Sequence, residues 1–508
     1  MAKSPRTSRS PERDSSAPPI VPELPNAVLD ELPPLAKDYI GALRERLAQL
    51  ESEKDNLESE KKRLESENKK LRAALAQNSS NSNRPPSSDS PFRRRTPCQN
   101  PKKPGGKPGH LGHRRPKLAP THTEHVHPVA CEKCGNTDLR DPVVCGEHQV
   151  IELPPLSVLV LQYLLYKSTC PACRTVTKAR LPAQAQTAYG PRLTAFLAMM
   201  MGPDGISRRA LRRLCRSVFG LPISLGGLQK VDTRGSKAIE PHHEAITEVV
   251  QNAPAANIDE TTFSRQRALD WLWVMATTSA VLFRLLPTRS KKAFEELIGP
   301  WKGFLTADAY GVYLKWAHGR QSCGAHPLRR AKALAESDDP EIAAFGRRMR
   351  SELRQLLRMK RAPPTVGQWM AWRARYRHLI GSHLSRKDDA GKLARHLDRE
   401  SDTLWAFLER PELDLEGTNN YGERMIRPGV QWRKRRQGTR NETGVKRVER
   451  GLTLHQTCRL RDQSVFHVLV DAVTALFHKV APDLSWIKLP TPAKGADPAG
   501  QPAVSPTA

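Results

Sequence analysis

Between Ile40 and Leu75 apolar residues return with a period of seven. Leu43, Leu50, Leu57, Leu64 and Leu71 fill one seam, and Ile40, Leu47, Lys54, Lys61, Asn68 and Leu75 fill its companion. A strict seven-residue repeat predicts a helix over 35–77 that pairs as a two-stranded leucine-zipper coiled coil, with the polar Asn68 fixing register at some cost in stability. A single solvated helix held by Glu and Lys pairs is the alternative. The segments on either side lack periodicity. Residues 1–34, rich in Pro, Ser and charge, read as a disordered leader, and 78–120 as a flexible arm. Residues 476–508 form a C-terminal tail.

Past the arm, "VIELPPLSVLVLQYLLYKSTC" predicts strands of a small ribbon within 121–182. Residues 183–250 are helical patterns broken by "GPDG" and "FGLPISLGG", with Arg208, Arg209, Arg212, Arg213 and Arg216 on their faces. They read as a helix-turn-helix that docks on DNA or, equally, as a basic helical spacer. After Pro254, "ANIDETTF", "WLWVMATT" and "AVLFRLLP" predict three short strands, Lys291 to Ile298 a helix, and "GFLTADAYGVY" a fourth strand. That order predicts an α/β sheet. Patterns such as "PEIAAFGRRMRSELRQLLRMKR" predict an all-helical insertion over about 326–412 inside an α/β unit of 251–475. At 508 residues the chain is expected to be multidomain, since domains usually run to about 100 to 200 residues.

Charge changes this picture from architecture to partner. Lys and Arg total 82 against 53 Asp and Glu, a formal net charge of +29, which attracts polyanions and makes nucleic acid the first partner to consider. From Arg84 to Lys117 ten basic residues face one acidic one, so the arm, with Arg93, Arg94, Arg95, Lys102 and Lys103, is suited to following phosphates. The N-terminus has no apolar signal core and no uninterrupted apolar run approaches about 18 residues, so the chain is expected to be soluble, cytoplasmic and without a membrane partner.

Nine cysteines without a secretion signal point to thiols and metal ligands rather than disulfides. Cys131-x2-Cys134 and Cys170-x2-Cys173 have the spacing of two knuckles around a structural Zn²⁺, although the gap between the pairs is long, and Cys145 and His148 lie within it as substitutes. Asp259 falls within the first strand of the α/β unit and Asp308 at the end of the fourth. An Asp in an apolar strand is costly unless paired or bound to a cation, and adjacent strands would bring the two carboxylates to one divalent ion. Glu260, beside Asp259, points to the opposite face.

Glu423 opens a new helix after "TNN", just ahead of an arginine-rich run; from Arg424 to Arg450 ten basic residues face two acidic ones. Asn420-x-x-Glu423 is also a capping arrangement, so Glu423 is either a third metal-binding carboxylate or a cap at the third helical position. Arg427, Arg433 and Lys434 are candidate DNA contacts, and Cys323-x2-His326 is either a pair that shapes the site or a buried thiol beside a surface imidazole.

These residues carry a resemblance. The zipper, "NSSNSNRPPSSD", "PGGKPGHLGH", the cysteine pairs, "IDET", "DAYGVY", "CGAHPLRR" and "NNYGERMIRP" occur in an order that resembles the DDE transposases of the insertion sequence sixty-six family, TnpC type, over about residues 36–475. The resemblance implies a ribonuclease-H-like catalytic fold, with Asp259, Asp308 and Glu423 in the catalytic positions and the 326–412 segment as the family's helical insertion. It also implies DNA partners, both element ends and target, and accessory proteins of the same element. The stretch "PGVQWRKRRQGTRNETG" departs from the family's usual run after Arg427 and predicts different end recognition.

Cleavage and strand transfer at a phosphodiester need an activated oxygen, an in-line geometry and neutralised charge. Two ions of Mg²⁺, or Mn²⁺, held by three carboxylates supply these. No G-x-x-x-x-G-K-[ST] loop points to nucleotide hydrolysis. A DNA-binding regulator or inactive transposase remnant is the alternative, and a stand-alone ribonuclease-H-like nuclease is a third reading.

Overall fold

The computed structural model describes residues 31–76, 117–182, 185–202 and 204–488. The chain divides into two units, 1–78 and 79–508.

In the first unit, α1 (Pro34–Ala76) is one helix of 43 residues. Its leucine seam lies open: Leu43, Leu50, Leu57, Leu64 and Leu71 are 47 to 66% exposed within the single chain.

The second unit opens with two knuckles of the same design. Cys131 N–H donates to Asn136 O and Gly135 N–H to Cys131 O, both at 2.8 Å; Cys170 N–H donates to Thr175 O at 2.9 Å and Arg174 N–H to Cys170 O at 2.8 Å. Gly135 and Arg174 both take a left-handed conformation, with φ of 74° and 59°. The second knuckle turns the hairpin of β1 (Lys167–Thr169) and β2 (Val176–Lys178). The strands expected across 150–166 do not form. Val150, Leu159, Val160 and Leu164 are exposed, because no partner strand meets the apolar run.

Helices α2 (Pro191–Met201), α3 (Arg208–Phe219), α4 (Leu225–Ala238) and α5 (Glu240–Gln251) follow. Leu197, Leu211, Cys215, Leu228 and Val231 form the core among the first three. Arg208 turns off the basic face of α3 to pair with the buried Asp232 of α4 at 2.9 Å, and Arg447 binds the same carboxylate.

Five strands make the sheet: β3 (Ala255–Arg265), β4 (Ala268–Ala276), β5 (Val281–Leu286), β6 (Phe304–Ala307) and β7 (Arg320–Ser322), in the order β5-β4-β3-β6-β7. The first three form an antiparallel meander, whereas β6 and β7 run parallel to β3. Helix α6 (Lys291–Ile298) makes the crossover from β5 to β6. Strand β7 is polar yet buried, because its side chains meet the helical segment that follows: Arg320 pairs with Glu400 at 2.8 Å, and Gln321 donates to Leu404 O at 2.9 Å.

That segment comprises α7 (Ala325–Ala335), α8 (Pro340–Arg358), α9 (Val366–Gly381), α10 (Asp389–Arg399) and two single-turn helices, Ser401–Leu404 and Ala406–Glu409. It has its own core, in which Trp369 and Trp372 stack at 5.3 Å and Trp405 meets Trp372 edge-on at 5.9 Å. The segment closes on itself at a neck, where Gly324 N–H donates to Gly417 O at 2.9 Å.

The chain then returns to the sheet as α11 (Asn420–Arg436), followed by α12 (Glu442–Leu460) and α13 (Val465–His478). Met425, Ile426 and Trp432 of α11 pack on Leu272, Val274 and Phe283. The approach is so close that a Cβ on Gly429 would lie 2.3 Å from Leu272 Cδ2. Helix α12 covers the outer edge of β5. Thr457, Thr453 and Glu449 accept from the N–H groups of Val281, Phe283 and Leu285 at 3.1, 3.0 and 2.8 Å. Helical spacing of four therefore matches strand spacing of two, and an edge that would otherwise invite another strand is satisfied by side chains.

Candidate active site

Strand β3 separates its two acidic neighbours by simple alternation. Asp259 stands opposite Val274, on the face covered by α11, while Glu260 stands opposite Trp273, in the other core. Glu260 is spoken for: its side chain is 2% exposed, ion-paired with Arg289 and hydrogen-bonded by the Tyr313 hydroxyl. The Arg289 guanidinium in turn lies over the Tyr310 ring, 3.7 Å from its centroid.

Asp308 follows the last residue of β6, which pairs directly with β3, so the first and fourth strands of this region are the neighbours that convergence requires. Its Oδ1 accepts from the Tyr310 N–H at 2.9 Å, which fixes the turn leaving the strand. The same Tyr310 therefore touches both the Asp308 turn and the Arg289 brace behind Glu260.

Glu423 comes from α11. The capping arrangement of Asn420 and Glu423, the alternative to a metal-binding Glu423, is absent. The N-cap is Asn419, no side chain caps the helix, and the Glu423 N–H makes the first intrahelical bond, to Asn419 O at 3.1 Å. The Asn419 side chain has other partners: Nδ2 donates to Ile258 O at 2.8 Å and Oδ1 accepts from Asn257 Nδ2 at 2.9 Å. Its backbone N–H donates to Cys323 Sγ at 3.1 Å, and the Cys323 N–H extends the β6 to β7 ladder by donating to Ala307 O at 3.0 Å. Cys323 is thus a buried link between β7 and the start of α11. The Glu423 carboxylate, free of capping, is half-exposed and pairs with Arg329 of α7 at 3.3 Å.

The electrostatics report that these groups share one neighbourhood. Desolvation raises the Asp259 carboxyl well above the usual carboxylate range, and the charges of Glu260, Glu423 and Asp308 add to it against a single opposing bond from the Glu260 N–H. His326 is pulled below the ordinary imidazole value by burial and by Arg329, while Asp308 and Glu423 act in the opposite direction. Its Nδ1 is buried without a hydrogen-bond partner. Among the described residues no three His, Cys, Asp or Glu side chains close to metal-binding distance. The donor chemistry nevertheless suits a hard divalent cation. Asp259 is a desolvated carboxyl with three further carboxylates acting on it and no cationic side chain within its own bonds, which is the setting a bound cation relieves.

Of the other residues expected to act, Arg427 and Lys434 lie on the open face of α11, whereas Arg433 turns inward onto β3 and donates to Thr262. Arg93, Arg94, Arg95, Lys102 and Lys103 lie outside the described residues. In the knuckles, the N–H groups of Cys134 and Lys133 hold the Cys131 thiol below its usual range, and Thr175 does the same for Cys173. Both effects favour the thiolate that Zn²⁺ requires. Each knuckle stands as a pair, and no disulfide joins any cysteine among the described residues.

Sequence reasoning missed Arg329, Asn419 and the Arg289 to Tyr310 brace. Only Asn419 left a signal, the Asn-Asn doublet ahead of the helix, in which either residue suits a cap.

A family model for a DNA-mobilising class of enzyme matches residues 186–447, just over half of the chain, and spans the sheet, the insertion and α11. The chain belongs to the IS66 transposase family, and DNA is accordingly its substrate class. A second model, of a family of unknown function, matches residues 31–116. No curated protein matches the chain. Among the described residues no helix is long and apolar enough to cross a membrane.

Proposed function

We propose that this transposase cuts and joins DNA through Asp259, Asp308 and Glu423, in a ribonuclease-H-like unit with a helical insertion, acting on the element's ends and on target DNA. The observation that carries the reading is placement: Asp308 leaves the strand that pairs with β3, and Glu423 opens the helix that covers the Asp259 face more than a hundred residues further on; the Asp259 carboxyl, raised by desolvation, then by Glu260 and then by Glu423 and Asp308, accords with it. The strand order with β3 central supports it, since Asp259 lies on β3 and Asp308 directly follows β6, the parallel strand beside it.

Asp259, Asp308 and Glu423 would hold Mg²⁺ or Mn²⁺, and a bound ion would supply activation of the attacking oxygen and neutralisation of charge on the leaving one. The chain's own residues do the rest. Asn419 and Cys323 set where α11 begins, Tyr310 fixes the Asp308 turn, and Arg329 balances Glu423 until DNA enters. Arg427 and Lys434 are placed to meet phosphates, as is the arm with Arg93, Arg94, Arg95, Lys102 and Lys103. Cys131, Cys134, Cys170 and Cys173 would hold a structural Zn²⁺, and α1 would pair two copies through its leucine seam. Accessory proteins of the same element would join this assembly.

The test is Asp308→Asn. Loss of metal-dependent cleavage with retained DNA binding supports the assignment. Unchanged cleavage removes it, and a parent protein that binds DNA without cutting returns the chain to the regulator reading.

A further inference from the structure

We infer that α3 and the open face of α11 form one cationic track for the phosphates of duplex DNA, leading from Glu423 to the helical region ahead of the sheet. The inference rests on the proposed reading of Glu423 and adds a surface to it.

Helix α11 divides its charges sharply. At positions spaced about one helical turn apart, Glu423, Arg427, Gln431 and Lys434 are exposed on one face, with Arg424 and Arg435 along its margin. Arg433 and Arg436 face the protein, donating to Thr262 and to Ile206 O. From Glu423 to Arg435 the rise is about 18 Å at 1.5 Å per residue.

The helix ends against the turn that begins α3. Arg435 Nη1 donates to Asp204 O at 2.9 Å, and its side chain packs over Gly205, where a Cβ would lie 3.0 Å from Arg435 Cδ. Gly205 has a φ of +74°, so both its conformation and this contact favour glycine. Two residues on, Ser207 caps α3 by accepting from the Ala210 N–H.

Helix α3 repeats the division. Arg208 lies on the buried side with Leu211 and Cys215 and is held by Asp232. Arg209, Arg212, Arg213 and Arg216, at i, i+3, i+4 and i+7, share the exposed face, and no carboxylate among the described residues pairs with any of them. Four guanidiniums on one stripe repel each other by several neighbouring contacts, a cost that a polyanion removes. One strand of duplex DNA offers a phosphate charge per about 3.4 Å of axis, a spacing that the guanidiniums of α3 match over the rise of about 10.5 Å from Arg209 to Arg216, while the open face of α11 extends the positive charge more sparsely over about 16.5 Å from Arg424 to Arg435. Because these contacts would be to backbone phosphates, they position the duplex and do not read its sequence.

The experiment measures binding of the full-length protein to a random-sequence 30-base-pair duplex, a length of about 100 Å, across a salt series. The variants are R209A/R212A/R213A/R216A and its charge-keeping counterpart with lysine at all four positions. Alanine keeps helix propensity, and neither variant touches Leu211 or Cys215. The expected result is a fall in affinity of about tenfold or more, with the slope of log K against log salt shallower by up to about 3.6, or about 0.9 per lost phosphate contact. The lysine variant should keep the parent slope. A parent-like affinity and slope in the alanine variant overturns the inference and leaves the face to some other acidic partner. Equal loss in both variants, which assigns the effect to packing, overturns it too. The readout is binding alone, so it is independent of whether Asp308→Asn abolishes cleavage.

Discussion

Asn419 Nδ2 donates to the carbonyl oxygen of Ile258 at 2.8 Å, one residue before Asp259. With the bond that Asn419 Oδ1 accepts from Asn257 Nδ2, this one joins the start of the helix that carries Glu423 to the strand that carries Asp259, and the Asn419 side chain that makes both is buried. Position 419 thus sets the separation of two carboxylates without being one of them.

Asn419→Ala is expected to leave Ile258 O and Asn257 Nδ2 short of a partner and to destabilise the fold by about 1 to 3 kcal/mol. Cleavage should fall further than DNA binding, because α11 loses its fixed start. Chemical denaturation together with parallel cleavage and binding assays checks this, and equal losses in both assays would refute the positional role.

The covered edge of β5 makes a separate stability prediction. Thr453→Val keeps the shape of the side chain but removes the acceptor for the Phe283 N–H, and should cost about 1 to 3 kcal/mol. Thr453→Ser keeps the acceptor and should cost clearly less. A denaturation midpoint that stays at the parent value for Thr453→Val and falls for Thr453→Ser would show that the methyl group, and not the hydroxyl, is what matters.

His242 and His243 predict a pH dependence. Burial lowers His242 to about 4, with Asp471 and Asp483 opposing. Burial lowers His243 to about 3, reinforced by Arg284, Arg450 and Lys446. Both are neutral in the fold and take up protons near 6.5 when unfolded, so protonation favours the unfolded chain. Stability is therefore full above about pH 6.5 and is lost as pH falls towards those folded values, at up to about 1.4 kcal/mol per pH unit for each histidine. Urea midpoints between pH 7.5 and 4.5 should fall, and the doubly substituted His242→Gln, His243→Gln protein should fall less steeply. A parallel decline in both proteins would assign the effect to other groups.

The knuckles predict metal content. Protein purified without chelator should carry one zinc per chain, and Cys134→Ser or Cys173→Ser should lower that content and expose 121–182 to protease. Elemental analysis is the measurement. Full zinc in both variants would place the ion on other ligands.

Much of this fold could be read before it was seen, and the failures have physical causes. Strands β3, β4 and β5, helix α6 and strand β6 stood out because an apolar alternation or amphipathic pattern served one core on each face. Strand β7 was invisible: Arg320, Gln321 and Ser322 look like loop, and only their bonds to the insertion make them strand. The reverse error fell on 150–166, where an apolar run looked like strand but meets no partner. Asp259 and Asp308 were legible as acids placed where strands dislike them. The start of α11 was misread by one residue because Asn419 and Asn420 are equally good caps in isolation, and a contact 161 residues away in sequence chose between them. Arg208 and Arg433 were indistinguishable by sequence from their outward-facing neighbours, and only Asp232 and Thr262 set them apart.

The neck between Gly324 and Gly417 bears on how the molecule is built in time. Closing a flexible loop of that length carries an entropy cost of about 4 kcal/mol beyond the constant for any loop, and it grows only logarithmically with added residues. A segment that folds around its own tryptophan core brings its two ends together and removes that cost from the assembly of the sheet and α11. The insertion is then free to lengthen or shorten with little effect on the distance between Asp308 and Glu423. A mutation that merely loosens its tryptophan core, far from any carboxylate, would slow the rate at which α11 reaches the sheet and leave the finished site unaltered.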